Sequence, residues 1–251
     1  LRLVQSNFFF IDNFSNIYKN PSKRSEITSQ IIYGEKFKIL KKKGGWIKIK
    51  TLFDNYIGFI KNSKYVEKFS PNYKVSSLKA KVFKRPGIRT NKWLPFASKL
   101  SVFKQNRNYV KIEKNKWIKK VDIKKLNHKE NNYIKIFKKF INVNYVWGGK
   151  TFQGIDCSAL LQIFFFYNNS FYPRDTKDQI KYIKTKIKKR KFKKGDIIFW
   201  KGHVAICLNS KQLIHAYGPE KKVIIMPIIE TINRIQKTAK LKVKKVSRIK
   251  Y

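Results

Sequence analysis

The sequence predicts a multidomain protein in which two small all-β barrels precede an α+β domain, and three observations support this. Up to about residue 127, apolar and polar residues alternate in short segments, which is the period of β-strands. From His128 the apolar residues recur at helical spacing, and after Gly195 the strand pattern returns. Helices followed by a run of strands indicate an α+β domain, and 251 residues suffice for one to three compact domains.

Each barrel is predicted from strand-like segments that turn signals separate. In the first barrel, residues 1–69, the segments are KFKILKK, GWIKIKT and NYIGFIK, joined by Gly-Gly and Asp-Asn turns. The second barrel, residues 70–127, repeats the rhythm with KAKVFKR, SKLSVFKQ, RNYVKIEK and KWIKKVD. About five short strands in roughly 55–60 residues, with aromatic residues near the turns, suit a small barrel.

The third domain, residues 128–251, is predicted to begin with three helices. The first runs from Tyr133 to near Asn142. The second begins at Cys157, where a loop rich in glycine ends. Its predicted apolar face consists of Cys157, Leu160, Leu161, Phe164 and Phe165. The third begins with a capping box of Thr176 and Gln179. Its predicted apolar stripe consists of Ile180, Ile183 and Ile187.

Four strands are predicted after these helices. Their segments are GDIIFW, HVAICL, QLIHAY and KVIIMPI, with turns at Gly202, Asn209-Ser210 and Gly218-Pro219. The Lys-rich end, Glu230–Tyr251, is predicted to form a short helix and a closing strand.

The charge of the chain admits two interpretations. With 59 Lys and Arg against 14 Asp and Glu, the formal net charge is +45. Such a charge is typical of proteins that bind nucleic acid, an anionic membrane surface or an acidic wall polymer. The lysines are spread over the whole chain, however, and Asn, Ile, Phe and Tyr are enriched with them. We therefore favour compositional drift of an A+T-rich coding sequence over a specific nucleic-acid partner.

The location of the protein is predicted from what the sequence lacks. No apolar stretch reaches the roughly 18 residues of a membrane span, so no transmembrane segment is expected. The beginning, LRLVQSNFFFIDNF, is a poor secretion signal, although the first residue is not Met and a removed leader stays open. Two cysteines form no disulfide framework. A reducing compartment, the bacterial cytoplasm, is favoured over the periplasm or secretion.

One cysteine and two histidines carry the chemistry of the third domain. Cys157 begins a helix, where the partial positive charge of the first turn favours a thiolate. His203 and His215 lie on consecutive predicted strands, which can set two side chains side by side. One imidazole could then take the thiol proton while the other orients it. A single Cys on an apolar helix more often has a structural role in the core. Here, however, the Cys begins a helix and the same domain has two His on adjacent predicted strands, which favours a catalytic role.

The second cysteine, Cys207, lies within HVAICL and is predicted to fill the core. A zinc site of two Cys and two His is the alternative for these four residues, but their spacing fits no closed structural site. No metal and no other cofactor is therefore expected.

The motifs of this domain resemble the NlpC/P60 family of bacterial cell-wall peptidases. YVWGGKTFQGIDCSALL, KKGDIIFWKGHVAICL and QLIHAYG follow the family's order, and YPRDTKDQ resembles its Pro-Arg segment. SEITSQIIYGE, GGWIKI and DNYIGFI are similar to the first bacterial SH3 (SH3b) domain of γ-D-glutamyl-L-diamino-acid endopeptidases. The resemblance implies two small all-β SH3-like barrels followed by an α+β papain-like NlpC/P60 domain.

The resemblance also implies roles for single residues. Cys157 would attack the carbonyl carbon, His203 would be its base, and His215 would orient that base. Tyr145 would place its hydroxyl near the developing oxyanion. Further residues would bind the substrate: Asp156, Ser158, Asp175 and Thr176 in the cleft, and Glu26 and Tyr56 on the first barrel.

The implied function is a cysteine endopeptidase that cuts the γ-D-Glu–diamino acid bond of murein peptides with a free N-terminal L-Ala. The protein is expected to be a monomer. Two alternatives stay open: a cell-wall or polyanion-binding protein with an inactive papain-like domain, and an acyltransferase or amidase that uses the same Cys–His pair.

Overall fold

A computed structural model describes residues 7–184, 187 and 191–249 of the chain. The chain divides into two compact units, Leu1–Lys129 and Glu130–Tyr251. The predicted boundary between two barrels at residue 69 stays a prediction. In the described part of the chain, no helix has the length and apolarity needed to cross a membrane.

The first unit begins with a seven-stranded antiparallel sheet. Its strands are β1 (Asn7–Phe10), β2 (Phe14–Tyr18), β3 (Ile27–Ile32), β4 (Lys36–Lys43), β5 (Trp46–Thr51), β6 (Ile57–Lys61) and β7 (Tyr65–Val66). They are ordered β3-β2-β6-β5-β4-β1-β7. In β5 every second residue is buried, which matches the alternation WIKIKT. The predicted strands KFKILKK, GWIKIKT and NYIGFIK are confirmed as β4, β5 and β6, whereas β1 to β3 were not predicted.

Eight further strands follow in the described residues of this unit. They are β8 (Tyr73–Val75), β9 (Lys79–Arg85), β10 (Ile88–Pro95), β11 (Lys99–Leu100), β12 (Lys104–Gln105), β13 (Tyr109–Glu113), β14 (Lys116–Lys119) and β15 (Ile123–Lys125). One sheet has the order β10-β9-β14-β13-β12 and the other β11-β8-β15. Tyr33, in the turn after β3, packs into their common core and donates to Glu113 Oε1 over 2.6 Å. The two groups of strands therefore share buried contacts.

The segment SKLSVFKQ is not one strand, as predicted, but forms β11 and β12 in different sheets. The side chain of Asn72 explains the break. Its Nδ2 donates to Val102 O, and its Oδ1 accepts from Val102 N, both over 2.8 Å. Because the main chain of Val102 is bonded to a side chain, it cannot continue a strand ladder.

In the described residues of the second unit, four helices and a hairpin accompany a five-stranded antiparallel sheet. The helices are α1 (Tyr133–Lys138), α2 (Cys157–Tyr167), α3 (Thr176–Tyr182) and α4 (Ile228–Ala239). The strands are β16 (Lys150–Thr151), β17 (Gly154–Ile155), β18 (Asp196–Trp200), β19 (His203–Cys207), β20 (Gln212–Tyr217), β21 (Lys222–Pro227) and β22 (Lys245–Arg248). The sheet order is β21-β20-β19-β18-β22. The four predicted strands and the final helix and strand are confirmed, although Lys250 and Tyr251 lie outside the described residues.

The helices differ from prediction in three ways. α1 ends at Lys138, and the chain then turns, with Asn142 in the left-handed region at φ 65°. In α2 all eleven residues are buried, so the helix has no solvent-exposed face. α3 ends at Tyr182 and therefore does not include Ile187; Thr185 and Lys186 lie outside the described residues.

The predicted capping box of α3 is also wrong. The N-cap is Asp175, and its side chain makes no cap hydrogen bond. Gln179 Nε2 instead donates to Ser158 O over 2.9 Å and to Pro173 O over 3.0 Å. Gln179 therefore ties α3 to the first turn of α2, because tertiary acceptors replace the local backbone partner.

Candidate active site

The loop before α2 is built around glycines that no larger residue could replace. A Cβ on Gly149 would lie 2.4 Å from Gly154 O, and a Cβ on Gly154 would lie 2.3 Å from Val146 Cγ2. Gly148 has φ 73°, which favours glycine. This close packing lets β16 and β17 form a tight hairpin. The chain then enters α2 at Cys157, whose side chain is 4% exposed.

Asp156 is the N-cap of α2, and Arg174 holds it in place. Asp156 Oδ1 accepts from Ala159 N over 2.8 Å, and Oδ2 accepts from Gly148 N over 3.0 Å. Arg174 donates Nη2 to Oδ2 over 2.7 Å and Nη1 to Oδ1 over 3.0 Å. This bidentate ion pair is buried on both sides and fixes the direction in which α2 begins.

Asp156 and Ser158 are predicted to face the substrate, but the structure turns both side chains inward. Ser158 Oγ donates to Asp156 Oδ1 over 3.0 Å and accepts from Arg174 Nη1 over 2.8 Å. Asp156 is 5% exposed and Ser158 is 6% exposed. With their polar atoms bonded to each other and to Arg174, these side chains support the beginning of the helix, and their contact with substrate stays a prediction.

The thiol of Cys157 lies against the main chain on both sides of His203. Sγ donates to Gly202 O over 3.9 Å, and the backbone N–H of Val204 lies close enough to favour a charged sulfur. The hydroxyl of Thr176 also hydrogen-bonds to the sulfur and, like the Val204 N–H, lowers the pKa of the thiol. Since Gly202 and Val204 are the chain neighbours of His203, the structure brings the thiol to the start of β19.

The two imidazoles form a hydrogen-bonded pair. His203 Nε2 and His215 Nδ1 are 3.0 Å apart. The register of β19 on β20, in which Ile206 lies opposite Ile214, makes the two histidines diagonal neighbours on one face of the sheet. His215 is fully buried, stacks on Tyr217 with ring centroids 4.5 Å apart, and places Nε2 3.3 Å from Met226 Sδ.

The thioether of Met226 determines the direction of this pair. A thioether sulfur accepts a hydrogen bond but has no proton to donate. His215 therefore carries its proton on Nε2, and its Nδ1 accepts from His203 Nε2–H. The remaining nitrogen of His203, Nδ1, is then unprotonated. This is the nitrogen that can take a proton from a thiol.

Burial keeps the pair and the thiol neutral. It raises the pKa of Cys157 to about 12, with the charge of Asp156 adding to the effect and Val204, Arg174 and Thr176 opposing it. Burial lowers the pKa of His203 to about 4. The pKa of His215 is lowered by burial and by the nearby charges of His203 and Arg234. A thiolate alone or an imidazolium alone is therefore unfavourable in this site. Transfer of the proton from Sγ to His203 creates the two opposite charges together.

These pKa values predict the acid side of the activity profile. An imidazole is a base only when neutral, so lowering the pH through the pKa of His203 removes the base. We expect kcat/KM to fall as the pH drops through about 4, and not through the ordinary value of 6.5. Steady-state kinetics against pH would check this, with circular dichroism to show that the protein stays folded. A loss centred near pH 6.5 would contradict it.

Tyr145 lies close enough to Cys157 for the charge of the sulfur to act on its hydroxyl. Its backbone N donates to Lys221 O over 2.8 Å, and its ring would lie 3.5 Å from a Cβ on Gly218. The pKa of its hydroxyl is raised by burial first and then by the charges of Cys157 and Asp156. The hydroxyl is therefore a neutral donor near the sulfur.

Asp175, a further predicted substrate ligand, is the N-cap of α3. Its side chain is half-buried and makes no hydrogen bond to its own helix. Burial raises the pKa of its carboxyl, against the charges of Arg174 and Lys177. The next residue, Thr176, contacts the sulfur of Cys157, so Asp175 belongs to the same site.

Glu26 and Tyr56 belong to the first unit. Glu26 pairs with Lys19 over 3.6 Å at the surface, and the Tyr56 hydroxyl donates to Thr28 O over 3.3 Å. Both residues therefore lie in the same part of that unit, and their contact with substrate stays a prediction.

Three residues that support the site were not assigned from the sequence: Arg174, Gln179 and Met226. Their partners are 18, 21 and 11 residues away along the chain. The signal for Arg174 was its position within YPRDTKDQ. In the described residues there is no group of three or more His, Cys, Asp and Glu side chains arranged to hold a metal ion.

Comparison with known proteins agrees with this geometry. Residues 142–241 match the NlpC/P60 family, and residues 17–64 match the bacterial dipeptidyl-peptidase Sh3 domain. Dipeptidyl-peptidase 6 of Lysinibacillus sphaericus is 22% identical over 84% of this chain and 87% of that protein. The gamma-D-glutamyl-L-lysine dipeptidyl-peptidase of Bacillus subtilis is 24% identical over 82% of this chain and 77% of its own. The crystal structure of an NlpC/P60 family protein from Bacillus cereus has the same fold, with a TM-score of 0.82, 18% identity, and coverage of 97% of this chain and 99% of that one.

Proposed function

Because this chain carries an NlpC/P60 domain and a bacterial SH3 domain, we propose that it cuts the γ-D-Glu–diamino acid bond of murein-derived peptides with a free N-terminal L-Ala. It is a hydrolase of the cysteine-peptidase class, and the names of its relatives indicate cell-wall peptides as substrates. The observation that carries the proposal is the hydrogen-bonded pair of His203 and His215, together with the thiol of Cys157 against the main chain on both sides of His203. The second group of strands, β8 to β15, is inferred to be a second SH3-like barrel.

In the proposed reaction Cys157 is the nucleophile and His203 its base. As Sγ bonds to the γ-carbonyl carbon of D-Glu, its proton passes to Nδ1 of His203. His215 accepts from the far side of that imidazole and stabilises the imidazolium. The hydroxyl of Tyr145 donates to the oxygen on which negative charge develops, a contribution typically worth about 3–4 kcal/mol of barrier.

The tetrahedral intermediate then collapses. The carbon–nitrogen bond breaks, and His203 returns the proton to the amine of the diamino acid, which leaves. A water molecule attacks the remaining thioester while His203 takes its proton. L-Ala-D-Glu departs with a free γ-carboxylate, and the proton returns to the sulfur. Because the first step separates charge inside a buried site, the neighbouring Val204 N–H and Thr176 hydroxyl are suited to stabilise the thiolate.

Asp175 is proposed to bind the free α-ammonium of the peptide. Its carboxylate is half-buried and close to Thr176, which contacts the nucleophile. A free amine would satisfy that carboxylate, whereas an N-acylated peptide would bury the charge without a partner. We expect L-Ala-γ-D-Glu-L-Lys to be cut and its N-acetylated form to be cut at least about 100-fold more slowly. Mass spectrometry of the products measures both rates, and equal rates would refute the proposed specificity.

The Asp175→Asn variant tests the same contact from the side of the enzyme. Loss of one charge-assisted hydrogen bond should raise KM for the free peptide about 10- to 100-fold, with a smaller change in kcat. Asp178→Asn is the matched control, since Asp178 is exposed on the same helix. A KM that changes equally in both variants would argue against Asp175 as the ammonium ligand and leave Cys157 untouched.

A further inference from the structure

The imidazole of His215 is hydrogen-bonded at both of its nitrogens. Nδ1 lies 3.0 Å from His203 Nε2, and Nε2 lies 3.3 Å from Met226 Sδ. Ring nitrogens donate and accept in the plane of the imidazole, so these two bonds fix the ring within its plane. They restrain its tilt about the line between the two nitrogens only weakly. A further contact is therefore needed to fix the plane itself.

The ring of Tyr217 makes this contact. It stacks on the imidazole of His215, with ring centroids 4.5 Å apart and planes at 12° to each other. The same ring lies tilted against His203, with centroids 5.9 Å apart and planes at 50°. Tyr217 is 5% exposed and belongs to the core between the sheet and α4. A nearly parallel ring at this distance leaves the imidazole of His215 no room to tilt.

The strand geometry of β20 sets the distance between these two rings. Side chains alternate along a strand, so His215 and Tyr217 point to the same face of the sheet. The pairing of β20 with β21 runs from Gln212 opposite Pro227 to Tyr217 opposite Lys222 without a shift of register. The backbone that carries both rings is therefore held in a regular ladder.

Arg234 of α4 also contacts the ring of Tyr217. Its Cζ lies 5.5 Å from the ring centroid, which is an attractive cation–π distance. The guanidinium is itself held by an ion pair, because its Nη2 lies 2.8 Å from Glu220 Oε1. Glu220 belongs to the 3₁₀ turn Gly218–Glu220, which directly follows β20. The ring of Tyr217 is therefore restrained by α4 as well as by its own strand.

We propose that Tyr217 is a positioning residue of the peptidase site, which acts through His215 on the base His203. This inference rests on the proposed catalytic roles of Cys157, His203 and His215. With its plane fixed, His215 keeps Nδ1 on the line of the bond from His203, and Nδ1 of His203 stays turned to the thiol. An imidazole that tilts would move the base away from the thiol, and small displacements of a reacting group slow catalysis strongly. The stack involves the ring of Tyr217 and not its hydroxyl.

The test compares three variants of the full chain. Tyr217→Leu removes the stacked ring, and Tyr217→Phe keeps the ring but removes the hydroxyl. Tyr172→Leu is the matched control, since Tyr172 is 1% exposed and stacks on Phe165 with centroids 4.1 Å apart and planes at 4°. Phe165 lies about 12 Å further along α2 than Cys157, because a helix rises about 1.5 Å per residue. Thermal unfolding measures the stability of each variant.

Kinetics separate a positioning role from a structural one. We expect Tyr217→Leu to lower kcat for L-Ala-γ-D-Glu-L-Lys about 10- to 100-fold while KM stays within about threefold. Tyr217→Phe should keep kcat within about threefold, because the ring is retained. Tyr172→Leu should lose as much stability as Tyr217→Leu and keep kcat within about twofold. Equal losses of kcat in the two leucine variants would overturn the proposal.

A second measurement requires no substrate. The chain has 3 His, so NMR spectra of protein labelled with ¹⁵N in its histidines contain few ring signals, and these distinguish protonated from unprotonated nitrogens. We expect His215 to carry its proton on Nε2 alone in the unchanged protein, in Tyr217→Phe and in Tyr172→Leu. In Tyr217→Leu the signals should average between the two tautomers. Signals of His215 that stay unchanged in Tyr217→Leu would overturn the proposal. A protein that does not cut the peptide would instead contradict the proposed function, and the spectra would still test the contact between Tyr217 and His215.

Discussion

Replacing Cys157 with alanine is expected to lower kcat/KM by at least about 10⁴-fold, because alanine has no thiol with which to form the thioester. The side chain is small, and the hydrogen bond from its thiol to Gly202 O is long, at 3.9 Å. The change should therefore leave the free energy of unfolding within about 1 kcal/mol of its original value. Hydrolysis of L-Ala-γ-D-Glu-L-Lys and thermal unfolding measure the two effects separately.

Cys207→Ala is the matched control for this prediction. Cys207 is also a buried thiol of the same unit, but it lies at the end of β19 within the core. Its loss should cost about 1 kcal/mol of stability and leave kcat/KM within about twofold. Activity that survives in Cys157→Ala, or that disappears equally in both variants, would remove Cys157 from its proposed role.

Arg174→Met is expected to have the largest effect on stability, lowering the free energy of unfolding by about 3–5 kcal/mol. The substitution keeps much of the volume but leaves the carboxylate of Asp156 buried without its cation. That carboxylate caps α2 and receives two bonds from Arg174, over 2.7 Å and 3.0 Å. Chemical denaturation of the full chain measures the change.

The control for Arg174 is another arginine in an ion pair. Arg234 pairs with Glu220 over 2.8 Å, but both side chains are more than a third exposed, at 39% and 36%. Arg234→Met should therefore cost at most about 1 kcal/mol. The double variant Asp156→Asn with Arg174→Met should recover part of the loss, since no buried charge remains. If the two arginine variants are equally stable, the buried ion pair of Asp156 and Arg174 contributes no more to the free energy of unfolding than an exposed pair does.

Local patterns were sufficient to predict the elements that carry Cys157, His203 and His215, whose catalytic roles stay a prediction. Cys157 begins a helix, and His203 and His215 lie on adjacent strands, because these features depend on short stretches of sequence and their periods. Strands such as β5 were predictable for the same reason, since every second residue of WIKIKT is buried.

Features that depend on distant partners could not be predicted in this way. β10 has no clean alternation because its pairing with β9 shifts register twice. Thr176 and Gln179 have the sequence of a capping box, but Gln179 is drawn to carbonyls that folding brings near. The position of Asp156 next to Cys157 suggested a substrate ligand. Its ion pair with Arg174 could not be predicted, because the two residues are 18 positions apart in the sequence.

The burial of α2 determines how the protein is expected to lose activity on heating. All eleven residues of that helix are covered by the rest of its unit, from Cys157 to Tyr167. On heating, α2 therefore cannot unfold locally and displace the thiol of Cys157 while the rest of the unit stays folded. A helix on the surface of the unit could do so. Loss of activity and unfolding of the second unit should follow the same curve against temperature. A folded but inactive state should not accumulate between them.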